Sequence, residues 1–194
     1  MEPTPTATLA AFAAGLAPSD LPASARAMAR DLLLDAVACA PASDRSDETE
    51  PYAAFARAVS GGGEHTVIGS PERLAPLGAV LLNAYRITAA TLCDTYVPAH
   101  CHITPEIVAL AMAERGRATG AELLAAIAVG SEVAVRVAQG LNYAVAGPGG
   151  WHMRGVVGPF GTAAATGRLI GLDAGAMRHA LGLAGSQSAG TWAS

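Results

Sequence analysis

This chain of 194 residues has no lysine; all twelve of its basic residues are arginine. A glycine-rich stretch, Gly147-Pro148-Gly149-Gly150, therefore cannot be a phosphate-binding loop, since no lysine follows it and no strand-like run precedes it. Aromatic residues are scarce, 5% against 52% hydrophobic overall, so the core must be packed from Ala, Leu and Val. Alanine and leucine are the strongest helix formers, and the shortage of aromatic residues argues against a sheet protein. The three cysteines, Cys39, Cys93 and Cys101, show no C-x-x-C spacing, which suggests neither a disulfide framework nor a structural zinc site and points to a reducing, cytoplasmic setting. Charge is also thin: the net value is −4, with acids and arginines scattered rather than blocked. No basic face for nucleic acid results.

No charge-free apolar run of about 18 residues, the length a membrane helix needs, is found. The most apolar window, Ala118 to Gly140, contains Glu122, Glu132 and Arg136. The opening Met1-Glu2-Pro3-Thr4-Pro5 carries an acid where a signal peptide would be basic, so a soluble helical domain spanning 1–194 is expected.

Thr4 or Thr6 is expected to cap a helix running to about Leu16, and Ser19-Asp20-Leu21-Pro22 to open a second whose apolar face is Met28, Leu32, Leu33, Val37 and Ala40. The polar stretch 41–50 reads as a solvated loop. A short helix over 52–59, an extended piece over 64–69 and a turn at Ser70-Pro71 follow. The next helix, from about Pro76 to Thr91, should present Leu77, Val80, Leu81, Ala84 and Ile87. Residues 91–104 read as irregular, with helix resuming at Thr104-Pro105-Glu106 and ending near Gly116. Thr119-Gly120-Ala121-Glu122 is a capping-box pattern that opens a long helix to about Gly140. After a glycine-rich loop to Gly150, helices over 156–170 and 174–184 are expected, the last capped by Asp173.

Three places could carry chemistry. His152 follows Gly149-Gly150-Trp151 and precedes a helix, whose positive dipole end disfavours imidazolium and suits a general base near neutral pH. A histidine bonded to a loop carbonyl in a tight turn is the plainer reading. Asp94, Thr95 and Tyr96, with His100 and His102 close by, put a carboxylate, hydroxyls and two imidazoles into one irregular segment. Asp94, His100 and His102 could also ligate a metal, but without a distant third ligand type that signal is weak, and no metal is expected. Ser186-Gln187-Ser188-Ala189-Gly190 after the last helix could bind a carboxylate or line a substrate pocket, or simply form a C-cap turn.

Taken in order, Leu32-Leu33-Leu34-Asp35, Thr66-Val67-Ile68-Gly69-Ser70, Ala79-Val80-Leu81-Leu82-Asn83, Asp94-Thr95, Trp151-His152, the Gly158-to-Ala165 run, Arg168-to-Asp173 and Gly182-to-Gln187 resemble the MmgE/PrpD family. This family includes 2-methylcitrate dehydratase, cis-aconitate decarboxylase and iminodisuccinate epimerase. The resemblance implies an all-α helical-bundle domain without the family's α+β second domain. It also implies an active site that moves a proton beside a carboxylate of a small molecule, with no metal or organic cofactor. On this reading His152 acts as base or acid, with His100 or His102 as a second proton-transfer group. Asp94 is carried over as catalytic, and Thr95, Tyr96, Trp151, Arg154, Ser186 and Gln187 as substrate-binding.

The chain departs from the family pattern at Thr91-Leu92-Cys93, where carboxylates are usual, and at His100-Cys101-His102, which blurs the equivalent histidine. Arg154 replaces a small hydroxyl residue and could clamp a carboxylate or fill the pocket. Family chains run to more than twice this length, and their lysine-bearing motif has no counterpart here. The expectation is a lyase or isomerase subunit completed by a second polypeptide, with a homodimer as a further assembly and neither nucleic acid nor membrane as partner. The alternative is a non-catalytic helical scaffold that keeps only the oligomerisation core.

Overall fold

The computed structural model describes residues 3–45, 47–89, 103–142 and 150–191. Among these are eight α-helices: α1 (Pro5–Gly15), α2 (Ala23–Cys39), α3 (Thr49–Ser60), α4 (Pro76–Thr88), α5 (Ile103–Gly116), α6 (Gly120–Gly140), α7 (Met153–Leu169) and α8 (Ala174–Gln187). Two short strands, β1 (Gly62–Thr66) and β2 (Arg73–Leu74), pair antiparallel through an irregular register, and the fold is otherwise helical.

The expected caps are present. Thr4 accepts a hydrogen bond from the Ala7 N–H, Asp173 accepts one from Ala176, and Thr119 with Glu122 closes a reciprocal capping box. Each satisfies backbone donors that a helix start leaves without partners. Those two Thr119 contacts, backbone N–H first and hydroxyl second, hold the Glu122 carboxyl below its usual range. The start of α2 differs: Pro22 stands at the cap and no side chain bonds there, while Pro18–Asp20 forms a separate 3-10 turn. Residues Ala40–Arg45 also form a 3-10 turn, so the stretch expected as a plain loop is partly ordered.

The central helix is α6. Between Ala125 and Ala138 its buried residues run right round the helix, which accounts for the most apolar window of the sequence. It packs most extensively against α7, and at their crossing Gly130 and Gly161 stand face to face. A Cβ on Gly130 would lie 2.7 Å from the Gly161 carbonyl oxygen, and one on Gly161 2.8 Å from that of Gly130. Around this pair Val129, Val133, Ala164, Met177 and Leu181 close a core with Ala10 and Ala13 of α1. Full burial of a side chain the size of Met177 or Leu181 contributes about 1.5–3 kcal/mol.

Two helical faces match the apolar pattern only in part: Ala40 and Ile87 are buried as expected, and Leu33, Val80, Leu81 and Ala84 pack against buried clusters. On α2 the buried stripe is Ala29, Ala36 and Cys39, while Met28 is 60% exposed and Val37 is exposed too. On α4 Leu77 is exposed, and the buried residues are Gly78, Ala79, Leu82, Asn83, Arg86 and Ile87. Small residues win these faces because close helix approach needs short side chains, and a methyl group at Gly78 would already press on Ser60. Asn83 is buried because it has backbone to satisfy: its Oδ1 accepts from the Ile68 N–H and its Nδ2 donates to the Thr66 carbonyl, both at 2.8 Å.

Candidate active site

The N-terminal end of α7 is where the described part of the expected site comes together. His152 is its cap residue, extended at φ −81° and ψ 101°, half-buried, and its imidazole makes no capping bond to α7. The N–H groups of Met153 and Arg154 have no backbone partner among the described residues, so this end of α7 presents two donors and its positive dipole. Arg154 is half-buried, and its Nε is buried with no hydrogen-bond partner among the described residues. A desolvated guanidinium donor beside a helix N-terminus favours an anion. Trp151, the residue before His152, is 45% exposed.

His152 is held by backbone from the far end of the chain. Its N–H donates to the Gly190 carbonyl at 3.0 Å, and Trp151 forms an isolated antiparallel bridge with Thr191. One turn into α7, the Val156 carbonyl accepts from the Ser188 hydroxyl at 2.7 Å. Ser186 and Gln187 lie in the last turn of α8 rather than after it. Both are exposed; the Ser186 hydroxyl donates to the Leu183 carbonyl and accepts from Gln187 Nε2. Sequence reasoning singled out the stretch 186–190 and carried over Ser186 and Gln187 as substrate-binding, whereas Ser188 is the hydroxyl that reaches α7.

Asp94, Thr95, Tyr96, His100 and His102 have side chains outside the described residues. Helix α5 begins directly after them, and Pro105 and Glu106 in its first turn are buried, with Pro105 packed against Gly130 and Gly161 at the α6–α7 crossing. The start of α5 therefore rests on the helix whose first residues follow His152.

A groove of the described surface lies elsewhere. About 420 Å³ in volume, it is lined by Ala14, Arg117, Glu122, Arg168 and Leu172 among others, at the opposite end of α7 from His152. At 1.5 Å per residue that is roughly 24 Å away. Three helices end there, α1, α5 and α7, so their negative dipole ends converge, and Arg168 answers them by donating to the Ala13 carbonyl at 3.2 Å. Burial lowers the Arg168 pKa from its usual value, opposed by the nearby Glu122 carboxylate. Those groups are occupied in closing helix ends. Among the described residues no group of three or more His, Cys, Asp or Glu is arranged to hold a metal, and no helix is long and apolar enough to cross a membrane.

Residues 7–194 match the family model of the MmgE/PrpD N-terminal domain. The chain is similar to a cis-aconitate decarboxylase of Aspergillus terreus, 32% identical over 192 residues, covering 95% of this chain and 39% of that protein. A cis-aconitate decarboxylase-like protein of Aspergillus oryzae is 32% identical over 97% of this chain and 41% of its own length. A human cis-aconitate decarboxylase is 35% identical over 130 residues, 63% of this chain and 27% of its own. The chain thus spans about two fifths of the length of the Aspergillus relatives it matches.

Proposed function

The chain belongs to the MmgE/PrpD family, and from that premise we propose that it supplies the His152 half of an active site acting on a small carboxylate. The reaction is a lyase or isomerase step in which a proton moves beside a carboxylate. The relatives' names favour decarboxylation of cis-aconitate or a close analogue. The observation that carries this reading is that His152, Arg154 with its unpartnered Nε, and two backbone N–H groups share one helix N-terminus.

In this arrangement a substrate carboxylate sits at the α7 N-terminus, held by the Met153 and Arg154 N–H groups and the Arg154 guanidinium. Trp151 walls one side, and Ser186 and Gln187 reach it from the end of α8. Loss of CO2 leaves an electron pair on carbon, which must be protonated before product leaves; His152 delivers that proton as imidazolium, a form the helix dipole disfavours in the empty site and the bound substrate carboxylate favours. Asp94, Thr95 and Tyr96 orient the substrate, and His100 or His102 serves as the second proton-transfer group. Two such groups of different basicity let one donate while the other is neutral. Metal and organic cofactor are not needed for this chemistry. We propose that a second polypeptide completes the site and supplies cations beyond the arginines of these 194 residues; assembly is heteromeric, with homodimerisation of the helical part as a further level. The setting is cytoplasmic, and neither nucleic acid nor membrane is a partner.

The test is turnover of cis-aconitate, followed as CO2 release, by the assembly captured from its own host, with native mass spectrometry giving its composition. His152→Ala should lower kcat by about 10²–10⁴-fold with helicity unchanged, the range of general acid–base catalysis. A bare homodimer inert toward small carboxylates would instead make the chain a scaffold.

A further inference from the structure

Pro159 stands in the interior of α7 and has no N–H to give the carbonyl one turn earlier, that of Gly155. The Ala189 N–H takes that carbonyl instead, at 3.3 Å, and the Ser188 hydroxyl takes the next one, that of Val156. Position 155 has no side chain for a matching reason: a Cβ there would be driven into the Ala189 carbonyl oxygen. A missing donor at 159 and a missing side chain at 155 fall one above the other on the same helical face. Together they cut a notch in α7 that accepts an extended strand of backbone.

The strand that fills it, residues 188–191, then continues to His152. Gly190 adopts φ +130°, a conformation that side chains disfavour, and its carbonyl accepts the His152 N–H at 3.0 Å. Thr191 bridges to Trp151. The path from the notch to the imidazole is therefore continuous: Pro159 frees Gly155, Gly155 admits Ala189, Ser188 pins the strand, and Gly190 grips His152. None of these residues bears a group suited to proton transfer at the proposed carboxylate.

We propose that the Gly155–Pro159 notch and segment 188–191 form a clasp that positions His152, with Gly155, Pro159, Ser188 and Gly190 as positioning residues. The functional half of this inference rests on His152 being the proton-transfer group. The structural half does not, and the two are read separately.

Pro159→Ala separates positioning from general stability. It returns an N–H that can close on the Gly155 carbonyl within α7 and so competes with Ala189, while removing a helix-breaking residue. In the full-length protein we expect its Tm to hold or rise, while the His152 amide exchanges hydrogen about tenfold faster. On the same variant kcat should fall about 10–100-fold with KM changed less than about twofold, the cost of a misplaced reacting group. Gly155→Ala should give the same exchange and kcat changes with a lower Tm. Ser188→Ala should cost about fivefold in kcat and Ser188→Thr, which keeps the hydroxyl, should restore it.

Amide exchange at His152 unchanged in both Pro159→Ala and Gly155→Ala overturns the clasp, whatever the activity. Faster exchange with unchanged kcat overturns its positioning role. Should His152→Ala itself prove fully active, the proposed function fails, and the exchange data alone decide whether the clasp exists.

Discussion

At the scale of single residues, the most consequential polar side chain outside the α7 N-terminus is Asn83. It is 3% exposed and ties α4 to the end of β1 and the turn after it by giving and receiving one hydrogen bond each. Asn83→Ala strips partners from a buried N–H on Ile68 and from the Thr66 carbonyl, and each such orphan costs about 1–3 kcal/mol. A loss of roughly 2–4 kcal/mol in unfolding free energy is expected, read from the urea midpoint at unchanged slope. Asn83→Asp should also be damaging, since it keeps the acceptor for Ile68 but sets a carboxylate oxygen against the Thr66 carbonyl. A midpoint for Asn83→Ala within error of the parent would show that water replaces both bonds. The surrounding segment has its own supports: Thr66 donates its hydroxyl to the Glu114 carboxylate of α5, and Glu114 also accepts the Thr66 N–H. The effect of Asn83 should therefore stay local to the α3–β1–α4 region and leave His152 undisturbed.

At the scale of elements, the α6–α7 crossing is the joint on which the site rests, because α7 carries His152 at its head and Pro105 of α5 packs into the same crossing. Gly161→Ala would press its methyl on the Gly130 carbonyl, on Ala134 and on Pro105 at once, and Gly130→Ala does the converse. Each should destabilise by about 1–3 kcal/mol, the usual cost of overpacking. The double variant should cost less than the sum, since one widening of the crossing relieves both; thermal melts of the two singles and the double check this, and strict additivity would refute the shared joint. Elements were readable from sequence where their signals were local. Thr4, Asp173 and the Thr119–Glu122 box each lie within one turn of the backbone they cap, and those starts are as expected. The faces of α2 and α4 were readable only in part, because large apolar residues mark a core only where helices stand far enough apart to need them. Here close approach gives the interior to Ala29, Ala36, Gly78 and Ala79 and leaves Met28 and Leu77 outside. The strand β2 is two residues long, too short for any alternation to show. In the site, His152 at a helix head was legible from its glycines, whereas the Ser188–Val156 bond joins residues 32 apart and no local pattern announces it.

At the scale of the whole molecule, two carboxylates link stability to pH in a way that can be isolated. Glu72 lies on the turn before β2 and is bound by Arg57 of α3 through both oxygens, at 2.6 and 3.0 Å, with Glu50 on the same guanidinium. The Arg57 hydrogen bonds hold the Glu72 carboxyl below its usual range, and the same contacts, Glu72 first and Glu50 second, raise Arg57. Glu122, at the head of α6, is lowered by Thr119. A carboxyl whose folded pKa is depressed binds fewer protons folded than unfolded, so its contribution is complete above the unfolded value, about 4.3, and is lost as pH falls through the folded one. Both groups are near the surface, so the contribution of each is small and salt-sensitive. The double variant Glu72→Gln/Glu122→Gln should therefore melt below the parent at pH 7, by a gap that stays constant down to about pH 5. Below about pH 4 the gap should begin to narrow, and it should close once pH has fallen past the depressed folded values, where the parent's carboxyls are protonated and as neutral as the glutamines. Raising salt should narrow the neutral-pH gap through Arg57 more than through Glu122, whose partners are a backbone N–H and a hydroxyl rather than a charge. A gap that is flat from pH 7 to pH 3 would mean that these carboxylates act by shape and hydrogen bonding alone, and that acid unfolding of this helical domain is driven by other groups.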